Sequence, residues 1–112
     1  LNAYLIKKII SRYTSEKIDI KWPNDLLIKK QKVCGILQEI IDYKEKKFLI
    51  VGTGINTNSS PNIVNFKTTS LRNRSKKHID SNKILKDVKK AYEKFIYQIR
   101  KYDFLYLKKK LK

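Results

Sequence analysis

The sequence predicts an α+β domain: a mixed or antiparallel sheet of short strands, with a helix at its start and two at its end packed on one face. Three observations predict it. Apolar residues recur at helical spacing near both ends, the middle alternates at strand spacing between turn residues, and 112 residues suffice for one hydrophobic core and little more.

Leu1, Ala3, Leu5, Ile6, Ile9 and Ile10 recur mostly at helical spacing, which predicts a helix over 2–13 with one buried face. Ile18-Asp19-Ile20-Lys21 alternates like a strand, Pro23-Asn24-Asp25 makes a turn, and Leu26-Leu27-Ile28 resumes extended structure before the polar turn Lys29 to Gln31. Strands are expected at 32–41 and 47–53, joined by a charged hairpin connection from Tyr43 to Lys46. Residues 56–67 are rich in Asn, Ser and Pro, without periodicity, and read as a surface segment. Asp80 is a good N-cap for a long amphipathic helix whose stripe is Ile84, Leu85, Val88, Ala91, Tyr92, Phe95, Ile96 and Ile99. A shorter helix is expected over 104–111. There is no internal repeat and no low-complexity linker.

Twenty-seven Lys and Arg against ten Asp and Glu give a formal charge of +17. Such a surface attracts phosphates, nucleic acid or anionic lipid, and the attraction weakens with salt. The basic residues are overwhelmingly Lys, beside plentiful Ile and Asn, a bias that AT-rich coding produces by itself. No Arg-rich tract or aromatic array on a basic strand accompanies them, so composition disfavours a nucleic-acid-binding module. The lone Cys34 cannot form an internal disulfide, and no apolar run of about 18 residues suggests a membrane span. Lys7 and Lys8 interrupt the first apolar stretch, which argues against a signal peptide. A reduced, cytoplasmic setting is the expectation. The chain contains no Met and begins inside a helical pattern, so we expect a fragment of a longer protein.

Three motifs stand in order: Lys21-Trp22-Pro23-Asn24-Asp25, then Lys32-Val33-Cys34-Gly35-Ile36-Leu37, then Val51-Gly52-Thr53-Gly54-Ile55-Asn56. An Asn-Asp turn is ordinarily turn chemistry, and a lone Gly-x-Gly is poor evidence of phosphate binding. Turns seldom require Trp, however, and the order and spacing of all three together resemble the catalytic core of biotin protein ligases. These enzymes activate biotin with ATP and attach it to a lysine of a carrier domain. The resemblance implies a partial class II synthetase-like, biotin/lipoate ligase catalytic domain over residues 1–112. It also implies that the glycine- and arginine-rich loop preceding this segment in the family, and the small barrel that follows the catalytic domain, are absent here.

Adenylation brings a carboxylate up to the α-phosphate of ATP, two anions whose repulsion a fixed cation must offset. By resemblance Lys32 is that cation, a catalytic residue touching both biotin and phosphate; the bland alternative is one more exposed lysine. Asp25 would orient, or deprotonate, the incoming carrier lysine, and orientation is the safer assignment because an ordinary carboxylate is a weak base for an ammonium. Lys21 and Asn24 would lie on the ATP side. Gly35 and Ile36 would contact biotin, with Gly35 letting the backbone approach the ligand or, alternatively, forming a β-bulge. Asn56 would place its carboxamide on the ATP phosphates or their magnesium ion. Trp22 is expected to pack the turn, Cys34 to replace a family alanine as packing, Thr69-Ser70-Leu71 to cap a helix, and His78 to be a surface residue.

The implied small molecules are ATP, magnesium and biotin, and the implied partner is the carrier domain of a biotin-dependent carboxylase. Three other readings remain: an inactive remnant or half-enzyme needing a separate N-terminal piece, a lipoate protein ligase relative, and a basic nucleic-acid-binding module.

Overall fold

The computed structural model describes residues 2–101. The chain divides after Ser81 into two compact units, and all three motifs lie in the first.

Helix α1 (Asn2–Ile10) buries Ala3, Ile6, Ile9 and Ile10, the apolar stripe read from the sequence. It ends earlier than the expected 2–13. The Ser11 hydroxyl bonds back to the Lys7 carbonyl, and the amides of Arg12 and Tyr13 reach only three residues back, to Ile9 and Ile10. That tightening closes the helix.

Four strands follow: β1 (Asp19–Lys21), β2 (Asp25–Ile28), β3 (Gln31–Tyr43) and β4 (Lys46–Ile55). They form a four-stranded meander in sequence order, antiparallel at every pairing. The β2–β3 and β3–β4 connections are two-residue turns whose residues are all left-handed: Lys29 (φ 47°) and Lys30 (φ 64°), then Lys44 (φ 49°) and Glu45 (φ 62°). Such turns match the twist of antiparallel strands and normally select Asn-Gly. Here the strand pairing imposes the conformation on residues that do not favour it.

One face of the sheet is the core. Leu26 and Ile28 of β2 and Val33, Cys34 and Ile36 of β3 are buried, as are Ile6, Ile9 and Ile10 of α1, and α1 packs against β1 and β2. Each such aliphatic side chain stabilises the fold by about 1.5–3 kcal/mol relative to full exposure. Leu71 and Ile79 are buried in the same unit.

The short helix α2 (Leu71–Ser75) starts where the sequence suggested. Ser70 is extended at the N-cap and its side chain accepts from the Asn73 amide, while left-handed Lys76 closes the C-terminus by donating to the Arg72 carbonyl. An N-cap hydroxyl of this kind contributes about 1 kcal/mol.

In the second unit, helix α3 (Ser81–Lys101) begins directly after Asp80. Its buried stripe is narrower than expected: Ile84 is buried, but Leu85 and Ile96 are exposed. The helix expected over 104–111 lies outside the described residues. Helices and an antiparallel meander make this an α+β fold, as the sequence predicts.

Candidate active site

A one-residue irregularity in the sheet creates the site. Leu26 of β2 faces Cys34 of β3, but Leu27 faces Lys32, so Val33 is an extra residue on β3. A bulge of this kind turns two consecutive side chains to one side and re-aims the one before them. Val33 and Cys34 are accordingly both buried. Lys32, which simple alternation would send toward the core, instead lies on the opposite face with Gly35. The sequence reading considered a bulge at Gly35; it sits two residues earlier.

On that face the strands align the motifs. Lys21 pairs with Asp25, Asp25 with Gly35, and Gly35 with Gly54, so the three motifs share one cross-strand row. The Lys32 ammonium lies above it, 3.3 Å from Asp25 Oδ1, with both side chains about one-third exposed. A Cβ on Gly35 would come within 3.0 Å of Lys32 Cε and Nζ. Glycine is therefore what lets the ammonium settle between strand backbone and carboxylate.

The segment after β4 closes one side. The Lys32 amide donates to the Lys67 carbonyl, and its carbonyl accepts from the Thr69 amide, giving an isolated parallel bridge between Lys32 and Thr68. The Phe66 ring faces Lys32 Nζ, 5.5 Å from ring centroid to nitrogen, within cation–π range. Lys32, Gly35, Gly54, Asn56, Pro61, Ile63 and Thr68 are among the residues lining a cavity of about 300 Å³, at the lower end of the usual size for small-molecule sites.

The cavity thus gathers Lys32, Gly35 and Asn56, and Asp25 reaches it through Lys32. The other named residues are placed differently. Lys21 shares the row but is exposed. Asn24 is half-buried and its carbonyl accepts from the Ile36 amide. The Ile36 side chain is 2% exposed, in the core, so neither its side chain nor its amide points at the cavity. Trp22 is a correction: it is 87% exposed and packs nothing. It stands in the three-residue connection between β1 and β2, where the turn leaves the indole in solvent.

Cys34 behaves as expected. It is a buried free thiol, pushed by burial up to about 12, with the Lys32 charge opposing that rise and Asp25 adding to it. It stays protonated and packs as a small apolar residue. His78 is exposed. Among the described residues, no group of three His, Cys, Asp or Glu could hold a metal ion, and no helix is long and apolar enough to cross a membrane.

Sequence reasoning missed Pro61, Ile63 and Phe66, because it took residues 56–67 as surface, and Thr68, which carried no signal of its own. Those residues are largely exposed, but three apolar side chains, Ile63, Val64 and Phe66, within a polar loop were the available signal.

Comparison with known proteins identifies relatives of this sequence and fold. A family model described as the Biotin/lipoate A/B protein ligase family matches residues 2–56, the stretch from α1 through the third motif. The chain is 32% identical over 99 residues to the bifunctional ligase/repressor BirA of Bacillus subtilis, covering 84% of this chain and 30% of that protein. It is 33% identical over 81 residues to the biotin–[acetyl-CoA-carboxylase] ligase of Mycobacterium tuberculosis, covering 72% and 29%. Among solved structures it resembles the biotin protein ligase of Aquifex aeolicus in complex with biotin and ATP, with a TM-score of 0.71 and 28% identity, covering 92% of this chain and 44% of that one. The chain therefore spans under a third of these curated relatives and under half of this solved one. With its three motifs aligned on one sheet face as described, the chain belongs to the biotin/lipoate A/B protein ligase family.

Proposed function

We propose that this chain carries the adenylate-forming end of a biotin protein ligase, a cytoplasmic enzyme that joins biotin to a lysine of a carboxylase carrier domain. The observation that carries this reading is the Lys32 ammonium, held over Gly35 by Asp25 at the cavity.

In the first step an oxygen of the biotin carboxylate attacks the α-phosphorus of ATP, the bond to the β-phosphate oxygen breaks, and pyrophosphate leaves. Lys32 offsets the charge where the two anions meet, an effect several times stronger in a water-poor cavity than in bulk. Phe66 lies beside the ammonium, and Pro61 and Ile63 line the cavity. In the second step the carrier lysine gives up one proton to solvent, the neutral amine attacks the adenylate carbonyl, and AMP leaves as the nitrogen loses its second proton to solvent. Asp25 would receive and orient the incoming ammonium before it is deprotonated, in exchange for Lys32, whose charge the bound ligand would then engage. Lys21 adds positive field along the same row, and Gly35 lets the ligand approach the strand.

Magnesium would arrive with the phosphates, and Asn56 Oδ1 suits it as a neutral oxygen ligand, since the amide nitrogen holds the side chain in place. Its bound form would neutralise phosphate charge.

Calorimetric titration with a non-hydrolysable biotinyl-adenylate analogue tests the proposal. Lys32→Ala should weaken binding by about 30-fold or more while leaving the thermal midpoint near that of the parent, because the side chain serves charge and not packing. Normal binding and adenylate formation by that variant would sink the assignment. Preference for a lipoyl-adenylate analogue would favour the lipoate branch of the family.

A second reading is a half-enzyme or remnant that needs a separate piece. It is favoured by the outer half of the β3–β4 hairpin, where Leu37, Ile40, Tyr43, Leu49 and Ile50 are all exposed. A folded chain that binds no analogue would support it.

A further inference from the structure

We infer that Asn56 is a positioning residue for Lys32 and acts through its amide nitrogen. The consequence for catalysis rests on the ligase reading; the clamp itself does not.

Asn56 directly follows β4, and its backbone amide donates to the Val33 carbonyl at 2.9 Å while its carbonyl accepts from the Leu71 amide at 2.9 Å. Its side-chain nitrogen donates to the Lys32 carbonyl at 3.4 Å and to the Thr69 carbonyl at 3.1 Å. A primary amide carries two N–H groups, and here two carbonyls take them. One side chain thus joins the start of β3, the end of β4 and the segment leading into α2.

The location gives this joint its purpose. The bulge at Val33 is where pairing between β2 and β3 is irregular, and a one-residue slip there would exchange the faces of neighbouring side chains. Such a slip carries the Lys32 ammonium off the Gly35–Asp25 row toward the core. The β2–β3 ladder cannot by itself hold the bulge in register, because Val33 has no opposite residue on β2. The Asn56 nitrogen supplies an anchor at the adjoining Lys32 carbonyl, and through Thr69 it sets the segment whose Phe66 faces the ammonium. The carboxamide, with two N–H groups on one nitrogen, serves both carbonyls at once. Aspartate has the same shape but would set a negative oxygen against them.

The test uses Asn56→Asp and Asn56→Ala in this chain, read by hydrogen exchange and by titration with the biotinyl-adenylate analogue. Asn56→Asp keeps an oxygen for magnesium and removes the donors, so it separates the two jobs of the side chain. Exchange of the Thr69 amide, which bonds Lys32, should quicken about tenfold in both variants. Analogue affinity should fall about tenfold with and without magnesium, and the fall should vanish in a Lys32→Ala background. Wild-type exchange rates and affinity in Asn56→Asp would overturn the inference. So would a loss confined to Asn56→Ala with magnesium present, which would assign the residue to the metal alone, or an equal loss in both Lys32 backgrounds, which would make the role merely structural. If the parent chain binds no analogue, the half-enzyme reading takes the place of an active ligase and the exchange rates alone decide the clamp.

Discussion

The two halves of β3 are made of similar residues and meet opposite fates. From Val33 to Ile36 the strand is largely buried; from Leu37 to Tyr43 every residue is exposed. Ile36 and Ile40 fall on the same face, since pairing with β4 runs without interruption from Cys34 to Tyr43, yet Ile36 is 2% exposed and Ile40 69%. The inner half is fixed by β2, on which α1 packs, and by the 67–69 segment. Among the described residues the outer half has its cross-strand partner and a two-residue turn for support, and a lone two-stranded hairpin is marginal in water. Burial is thus decided by what else reaches the strand, and the site occupies the part that is reached from several directions.

That contrast can be tested directly with two matched truncations. Ile36→Ala should lower stability by about 2–4 kcal/mol, because it opens a cavity in the core. Ile40→Ala should cost under about 1 kcal/mol in the same denaturant melts, since little is lost where little is packed. Equal costs would mean that the outer half is covered in solution.

Gly35→Ala probes the boundary between the halves. The added methyl would meet the flexible end of Lys32 at 3.0 Å and no backbone, so the ammonium should move away from Asp25 while the fold loses less than about 1 kcal/mol. Analogue binding should weaken several-fold. Gly52→Ala, whose methyl would find only Leu37 Cβ at 4.0 Å, should leave binding unchanged. If both substitutions bind alike, the fit of Lys32 over Gly35 is unimportant.

The last test concerns the outer turn. Replacing Lys44-Glu45 by Asn-Gly should raise stability by about 1 kcal/mol, because it relieves two left-handed positions. A fall in the midpoint of thermal unfolding would show that the present residues make contacts that offset their strain.

Much of this was legible in the chain. The α1 stripe, the strand order, the Tyr43–Lys46 hairpin, the Ser70 cap and the start of α3 all follow from periodicity and from turn or cap residues close in sequence. β3 and β4 nevertheless run longer than expected, because pairing across a tight turn extends strands past their apolar centres. The α3 stripe is narrower than its pattern, since period alone does not say which apolar residues find a partner. Trp22 shows the same gap: its place in a motif suggested packing, and the turn leaves it in solvent.

By itself the sequence determined the order and spacing of the three motifs, the types of the elements and the positions of the turns, because these depend on residues within a few positions of each other. Only the tertiary structure decided that Lys32 crosses to the Gly35 face, that Phe66 stands over it, and that Asn56 spends its nitrogen on carbonyls 24 and 13 positions away. The face of a bulge neighbour and the partners of an amide are set by strand register and chain closure, which exist only once distant segments have met.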